Sequence, residues 1–168
     1  MTLRLILTRH AKSSWEDPFQ DDHSRPLNAR GRQGAPLIGG WLRERGYAPD
    51  VVLCSDSART QETWMLLNHA LQSNAALSIL PALYHAAPNE IARLVGMQNA
   101  RTVMVIAHNP GIGHLACGLA QERPDNPYFG KYPTSATAVL EIKGDTWSTL
   151  TPRSARVLDF VTPHSLMP

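Results

Sequence analysis

Leu3-Arg4-Leu5-Ile6-Leu7-Thr8-Arg9-His10-Ala11 is the stretch whose reading decides the fold. An apolar run that ends in an Arg-His pair reads as a strand buried on both faces, the kind that occupies the middle of a parallel sheet. Ligands of open α/β sheets bind just beyond the carboxyl ends of such strands. Arg9 and His10 are therefore delivered where chemistry occurs in this class of fold. Taken alone, these residues also fit a solvated loop cation beside an incidental histidine.

Working outward, Thr102-Val103-Met104-Val105-Ile106-Ala107 repeats the pattern and ends in His108-Asn109-Pro110-Gly111. Val51-Val52-Leu53-Cys54 is a shorter buried strand. Ser55-Asp56-Ser57 after it supplies groups suited to capping a helix that carries Arg59 in its first turn and Trp64, Met65, Leu67 and Leu71 on its apolar side. An earlier helix opens at Asn28 as N-cap, carries Leu37, Ile38, Trp41 and Leu42, and stops at Gly46. Its glycines at 31, 34, 39 and 40 weaken its intrinsic propensity, so tertiary packing must hold it. Leu77–Leu80 reads as a strand, Pro88–Gly96 and Ile112–Gln121 as helices, and 11–25 and 122–133 as loops. Ala136–Ile142 and Thr146–Leu150 read as extended runs about a turn at Lys143-Gly144-Asp145, which predicts a hairpin. Arg153–Phe160 is a last extended segment. Strands alternating with helices predict a three-layer α/β fold, a mostly parallel central sheet flanked by helices, with residues 1–168 forming a single domain.

The 168 residues suffice for one sizeable core, and a hydrophobic fraction of 43% with 18% charged residues is ordinary for a globular chain. A net charge of +2 with dispersed arginines predicts neither nucleic acid nor a membrane surface as partner. No window approaches the ~18 apolar residues of a membrane span. Met1-Thr2-Leu3-Arg4 runs straight into a strand, which predicts no secretory signal. Cys54 and Cys117 are far apart in apolar surroundings and read as buried thiols, so the expected compartment is the cytoplasm. Nothing in the residues specifies an oligomeric state.

If the strands at 3, 51 and 102 are parallel neighbours, Arg9, His10, Arg59 and His108 meet at one sheet edge, beside a helix N-terminus. Backbone amides and the helix dipole favour an anion there, and arginine grips phosphate oxygens in bidentate fashion. Neighbouring cations keep an imidazole neutral and nucleophilic. The expected ligand is a phosphoryl group, and the expected nucleophile is a histidine. No histidine pair, His108 and His114 included, has metal-ligand spacing.

Thr8-Arg9-His10-Ala11 resembles the Arg-His-Gly signature of the histidine phosphatase superfamily, also called phosphoglycerate mutase-like. Leu27-Asn28-Ala29-Arg30-Gly31, Cys54 to Thr63, and Ala107-His108-Asn109-Pro110-Gly111 are similar to its later blocks, in order. The short length, Arg9 to Trp15, and Arg25-Pro26-Leu27-Asn28 look like the SixA-type phosphohistidine phosphatase branch. The resemblance spans roughly residues 3 to 142 and implies a phosphoglycerate mutase-like fold. It also implies that His10 is a transiently phosphorylated nucleophile and that Arg9, Arg59 and His108 hold the phosphoryl oxygens, with neither cofactor nor metal. The implied partner is a phosphorylated protein dephosphorylated at histidine. The alternatives are a phosphomonoesterase for a small phosphorylated metabolite and a phosphate-binding module without turnover. A mutase fits less well.

Three departures carry expectations. Ala11 stands in place of glycine. Glu16 falls where many relatives carry an asparagine that touches phosphate, and it is expected to turn away. Leu83-Tyr84-His85 lies where many relatives carry a glutamate acid, and Tyr84 stands near that place. Asp22 and His23 are the candidate substitute acids, and Asp22 is alternatively a brace paired with Arg25.

Overall fold

The apolar run forms a strand, Thr2–Arg9 (β1), in the interior of a six-stranded sheet in the computed structural model, which describes residues Met1–Pro168. The other strands are Val51–Ser55 (β2), Ala76–Leu80 (β3), Thr102–Ala107 (β4), Thr137–Lys143 (β5) and Ala155–Val161 (β6). Their order is β3-β2-β4-β1-β5-β6, with β1 to β4 mutually parallel and β5 antiparallel to both neighbours. This is the mostly parallel sheet expected from the alternation of strands and helices.

Helices cover both faces: Ala29–Arg45 (α1), Ala58–Leu71 (α2), Pro88–Gly96 (α3), Gly111–Leu119 (α4) and a short C-terminal turn, Pro163–Leu166 (α5). Strand residues alternate between faces. Leu3, Leu5 and Leu7 of β1 join Val103 and Val105 of β4 in the core under α3 and α4. Ile6, Met104 and Ile106 point the other way, onto Ile38, Trp41, Leu42, Trp64 and Leu67 of α1 and α2. Leu5-Ile6-Leu7 of β1 and Val103 to Ala107 of β4 are thus apolar at consecutive positions because both faces are covered.

Asn28 caps α1 by accepting from the Gly31 amide at 2.9 Å, and Gly46 ends it in the left-handed region at φ 74°. Gly39 is the contact point of α1 on α2. A Cβ there would lie 2.0 Å from the Leu67 carbonyl oxygen, which is backbone and cannot swing aside. Gly39→Ala is therefore expected to lower the unfolding free energy by about 3 kcal/mol by forcing the helices apart; urea denaturation measures this, and an unchanged midpoint would contradict the close approach.

Three local expectations are corrected. Thr146–Leu150 is not a strand. Trp147 is buried in the core, with its indole N–H donating to the Ala100 carbonyl at 2.8 Å, and Trp147–Thr149 coils into a 3-10 turn around it. The strand that returns antiparallel alongside β5 after the turn is instead β6. Met65 points outward and is 62% exposed, so α2 buries a narrower face than its apolar residues suggest. The 122–133 loop contributes Phe129 and Tyr132 to the core. The Tyr132 hydroxyl donates to the Leu7 carbonyl at 2.7 Å and accepts from the Ala138 amide at 3.1 Å, pinning this loop to β1 and β5. Cys54 is buried as expected, whereas Cys117 is only half-buried, and both are free thiols. No helix is long and apolar enough to cross a membrane.

Candidate active site

The carboxyl ends of β1, β2 and β4 adjoin because these strands are neighbours. Arg9 lies opposite Ala107 in the β1–β4 register, so His10 and His108 leave the sheet side by side, with ring centroids 5.3 Å apart. Arg59 enters from the first turn of α2, whose N-cap Ser57 accepts from the Thr60 amide. A cleft of about 240 Å³ holds Arg9, His10, Arg59 and His108 together. Lys12, Arg25, His85 and Asp22 also line it, so Asp22 is the one carboxylate facing four cations.

The state of His10 follows from its hydrogen bond. Its Nδ1 lies 2.7 Å from the Ala11 carbonyl oxygen. A carbonyl only accepts, so Nδ1 carries the proton and Nε2 keeps a free lone pair. Burial lowers the pKa of His10 to about 3 against the opposing pull of the Ala11 carbonyl, with the charges of Arg59, Arg9 and Arg25 adding to the drop. His108 is lowered to about 2, first by burial, then by His10 and the Arg59 charge. Its Nε2 lies 2.8 Å from the Ser55 hydroxyl and its Nδ1 3.4 Å from Nη2 of Arg59. Because the guanidinium only donates, the His108 proton sits on Nε2 and is given to Ser55.

A stability consequence follows. A histidine held neutral below its ordinary 6.5 binds a proton in the unfolded chain but not in the folded one, so stability falls as pH drops below 6.5, down to the folded pKa. Each such group contributes at most about 1.4 kcal/mol per pH unit. Urea midpoints taken at pH 7 and pH 5 are expected to differ by roughly 2–4 kcal/mol of stability in the native chain and by about half that in His108→Gln. Equal slopes in both proteins would remove His108 from this account.

Two of the arginines that line the cleft carry an unpartnered donor: Nε of Arg9 and Nε of Arg59 are buried without a hydrogen-bond partner. Such donors are costly unless a ligand accepts from them. The remaining contacts of Arg59 all run to other cleft residues. Its Nη1 donates to the Asp22 carbonyl at 2.7 Å and its Nη2 to the Asp22 carboxylate at 3.1 Å.

Asp22 is the hub of the loop that sequence reading left irregular. It also accepts from Arg25 Nε at 3.1 Å, from His85 Nε2 at 3.1 Å, and from the Tyr84 hydroxyl. Burial by itself would raise its pKa, but the hydrogen bonds from Tyr84 and Arg25 and the Arg59 charge hold the carboxyl well below the usual carboxylate range. Arg25 is further held by Ser13 Oγ at 2.6 Å and stacks 3.6 Å from the Trp15 ring. His23 turns out of the cleft to Asp56, at 2.9 Å. Glu16 is exposed and does not line the cleft. Burial and the Asp22 hydrogen bond both raise the pKa of the Tyr84 phenol.

Sequence reading missed Ser55 as the partner of His108 and Arg25 and Lys12 as cleft cations. The hydroxyl directly after β2 was the available signal for Ser55, although it reads equally well as part of a helix cap.

A buried histidine with a free Nε2, ringed by guanidinium groups at the ends of parallel strands, has the chemistry to take a phosphoryl group in an α/β protein. Residues 5–84 match the model of the histidine phosphatase superfamily, branch 1, and the chain belongs to that superfamily. It is 35% identical over 163 residues to an uncharacterized protein of Mycobacterium tuberculosis, covering 93% of this chain and 99% of that one. The structure of the candidate phosphohistidine phosphatase SixA from Nakamurella multipartitia superposes with a TM-score of 0.81 at 28% identity, over 97% of each chain. Phosphoglycerate mutase from Plasmodium falciparum shares the fold, with a TM-score of 0.64 at 18% identity over 95% of this chain and 91% of that one. The family and the SixA-like neighbours support phosphatase chemistry.

Proposed function

We propose that this chain is a cytoplasmic phosphatase that removes the phosphoryl group from a phosphohistidine side chain of a protein, through a covalent intermediate on His10. The observation that carries this reading is the contact of His10 Nδ1 with the Ala11 carbonyl: with Nδ1–H given to Ala11, the Nε2 lone pair is left for the cleft that His10 lines. That lone pair attacks phosphorus in line. The substrate P–N bond breaks, and its electron pair leaves on the substrate imidazole, which carries a proton on its other ring nitrogen and so departs neutral. Arg9 and Arg59 direct their unsatisfied donors at the phosphoryl oxygens and neutralise the charge that develops. His108, held by Ser55, completes the phosphate-binding set. Water then attacks the phosphorylated His10, releasing inorganic phosphate and the neutral imidazole. No metal or cofactor takes part.

Asp22 serves as a brace in this scheme. A carboxyl held ionised by Arg25, Arg59 and Tyr84 has no proton to give near neutrality. His23 faces Asp56 and is no acid for the cleft. An alkoxide leaving group needs a positioned acid, whereas an imidazole does not. The site is therefore better matched to a P–N bond than to a sugar phosphate. Turnover of a phosphohistidine protein is expected to exceed that of simple alkyl phosphates in kcat/KM by at least about 100-fold, the usual worth of an acid that the alkyl substrates lack. Faster cleavage of alkyl phosphates would favour a small-metabolite phosphatase, and phosphate binding without turnover a non-catalytic module.

A further inference from the structure

Beside the cleft lies a second cavity of about 220 Å³ that no step above uses. Lys12 and Thr134 line both spaces, so the two are contiguous. The rest of its wall includes Arg30 from the start of α1, Ser135, and Thr162 and His164 from the C-terminal segment. No carboxylate lines it, and neither Lys12 nor Arg30 is paired with one elsewhere.

Two further features suit this cavity to an anion. Arg30 stands in the first turn of α1, which has no acidic residue, so a cation faces the positive end of the helix dipole. Ser135 is 2% exposed, and its Oγ is buried without a partner. Its amide donates to the carbonyls of both Arg9 and His10, at 3.1 and 3.0 Å, so the residue that bears the unsatisfied hydroxyl is tied directly to the backbone of the nucleophile.

We propose that this cavity is a second anion subsite, which takes a carboxylate or phosphate carried by the same substrate whose phosphoryl group lies at His10. On a protein substrate that group is an Asp or Glu side chain flanking the phosphohistidine; on a small substrate it is a second ionised group. The subsite rests on the reading of the adjoining cleft as the phosphoryl site, but not on phosphohistidine being the substrate.

The test compares kcat/KM within matched pairs: a phosphohistidine peptide with glutamate or glutamine beside the phosphohistidine, and an aryl phosphate with or without a ring carboxylate. The native chain should favour the acidic member of at least one pair by about fivefold, the worth of one exposed charge pair. Arg30→Gln should erase most of that preference while leaving the neutral member within twofold. Met167→Glu, which puts a carboxylate on the cavity wall, should do the same. Preference in the peptide pair assigns the anion to the protein substrate, and preference in the aryl pair alone assigns it to a small one. A peptide pair that is not turned over, beside an aryl pair that keeps its preference, overturns the phosphohistidine reading and leaves the subsite standing. No preference in either pair, or a preference that survives both substitutions, overturns the subsite.

Discussion

His10→Ala is expected to lower kcat by at least ~10⁴-fold, about 5.5 kcal/mol of barrier, because no other group in the cleft replaces a nucleophile whose tautomer is set by its own backbone. The protein should still fold: the imidazole makes one hydrogen bond, to Ala11, and no ion pair. Rapid quenching into alkaline denaturant, where a phosphoramidate survives, should trap a phosphoryl group on the native chain and none on the variant. The substitution should also flatten the loss of stability below pH 6.5, since a histidine that is neutral when folded is gone. Activity within tenfold of native in His10→Ala would remove the covalent route.

Arg59→Ala is expected to lower kcat/KM by about 10³-fold, near 4 kcal/mol, for two physical reasons. It deletes the unpartnered Nε donor that the proposed mechanism aims at a phosphoryl oxygen, and it releases the Asp22 carboxylate from its partner at 3.1 Å. A freed carboxylate beside the phosphoryl site then repels the substrate. Arg59→Lys should recover no more than about tenfold, because an ammonium keeps the charge but not the forked donors. The double variant Arg59→Ala, Asp22→Asn separates the two effects. Recovery of several-fold over Arg59→Ala is expected from removing the repulsion, and no recovery would mean that Asp22 acts on the loop alone.

The path from sequence to site was short where chemistry follows from position along a strand. Arg9, His10 and His108 can be read because a largely apolar strand ends at each set, and strand ends in a parallel sheet gather at one edge. Arg59 could be read because a cation in the first turn of a helix is disfavoured unless an anion answers it. The state of these groups was only partly legible. Neighbouring arginines suggested a neutral imidazole, but the proton position on His10 depends on the carbonyl of Ala11, and that on His108 depends on Ser55, 53 residues away.

Asp22 shows the limit more sharply. Its pairing with Arg25 is local and was foreseen as one alternative. Its partners Arg59, Tyr84 and His85 lie 37, 62 and 63 residues along the chain. Whether a carboxyl donates a proton or braces a loop is set by those contacts, which carry no spacing signal. Trp147 and Tyr132 show the same limit: one belongs to a stretch that reads as extended and the other to one that reads as a loop, yet each is buried and hydrogen-bonded to backbone far away in sequence, Trp147 to Ala100 and Tyr132 to Leu7.

By itself, then, the sequence determined the sheet, its covering helices and the four side chains that meet at its edge, since period, caps and strand ends are local properties of the chain. Only the tertiary structure decided which nitrogen of each histidine is free, that Asp22 is held as an anion, and that a second cationic cavity adjoins the first. Those depend on burial and on partners brought together from distant segments, and both exist only once the chain has folded.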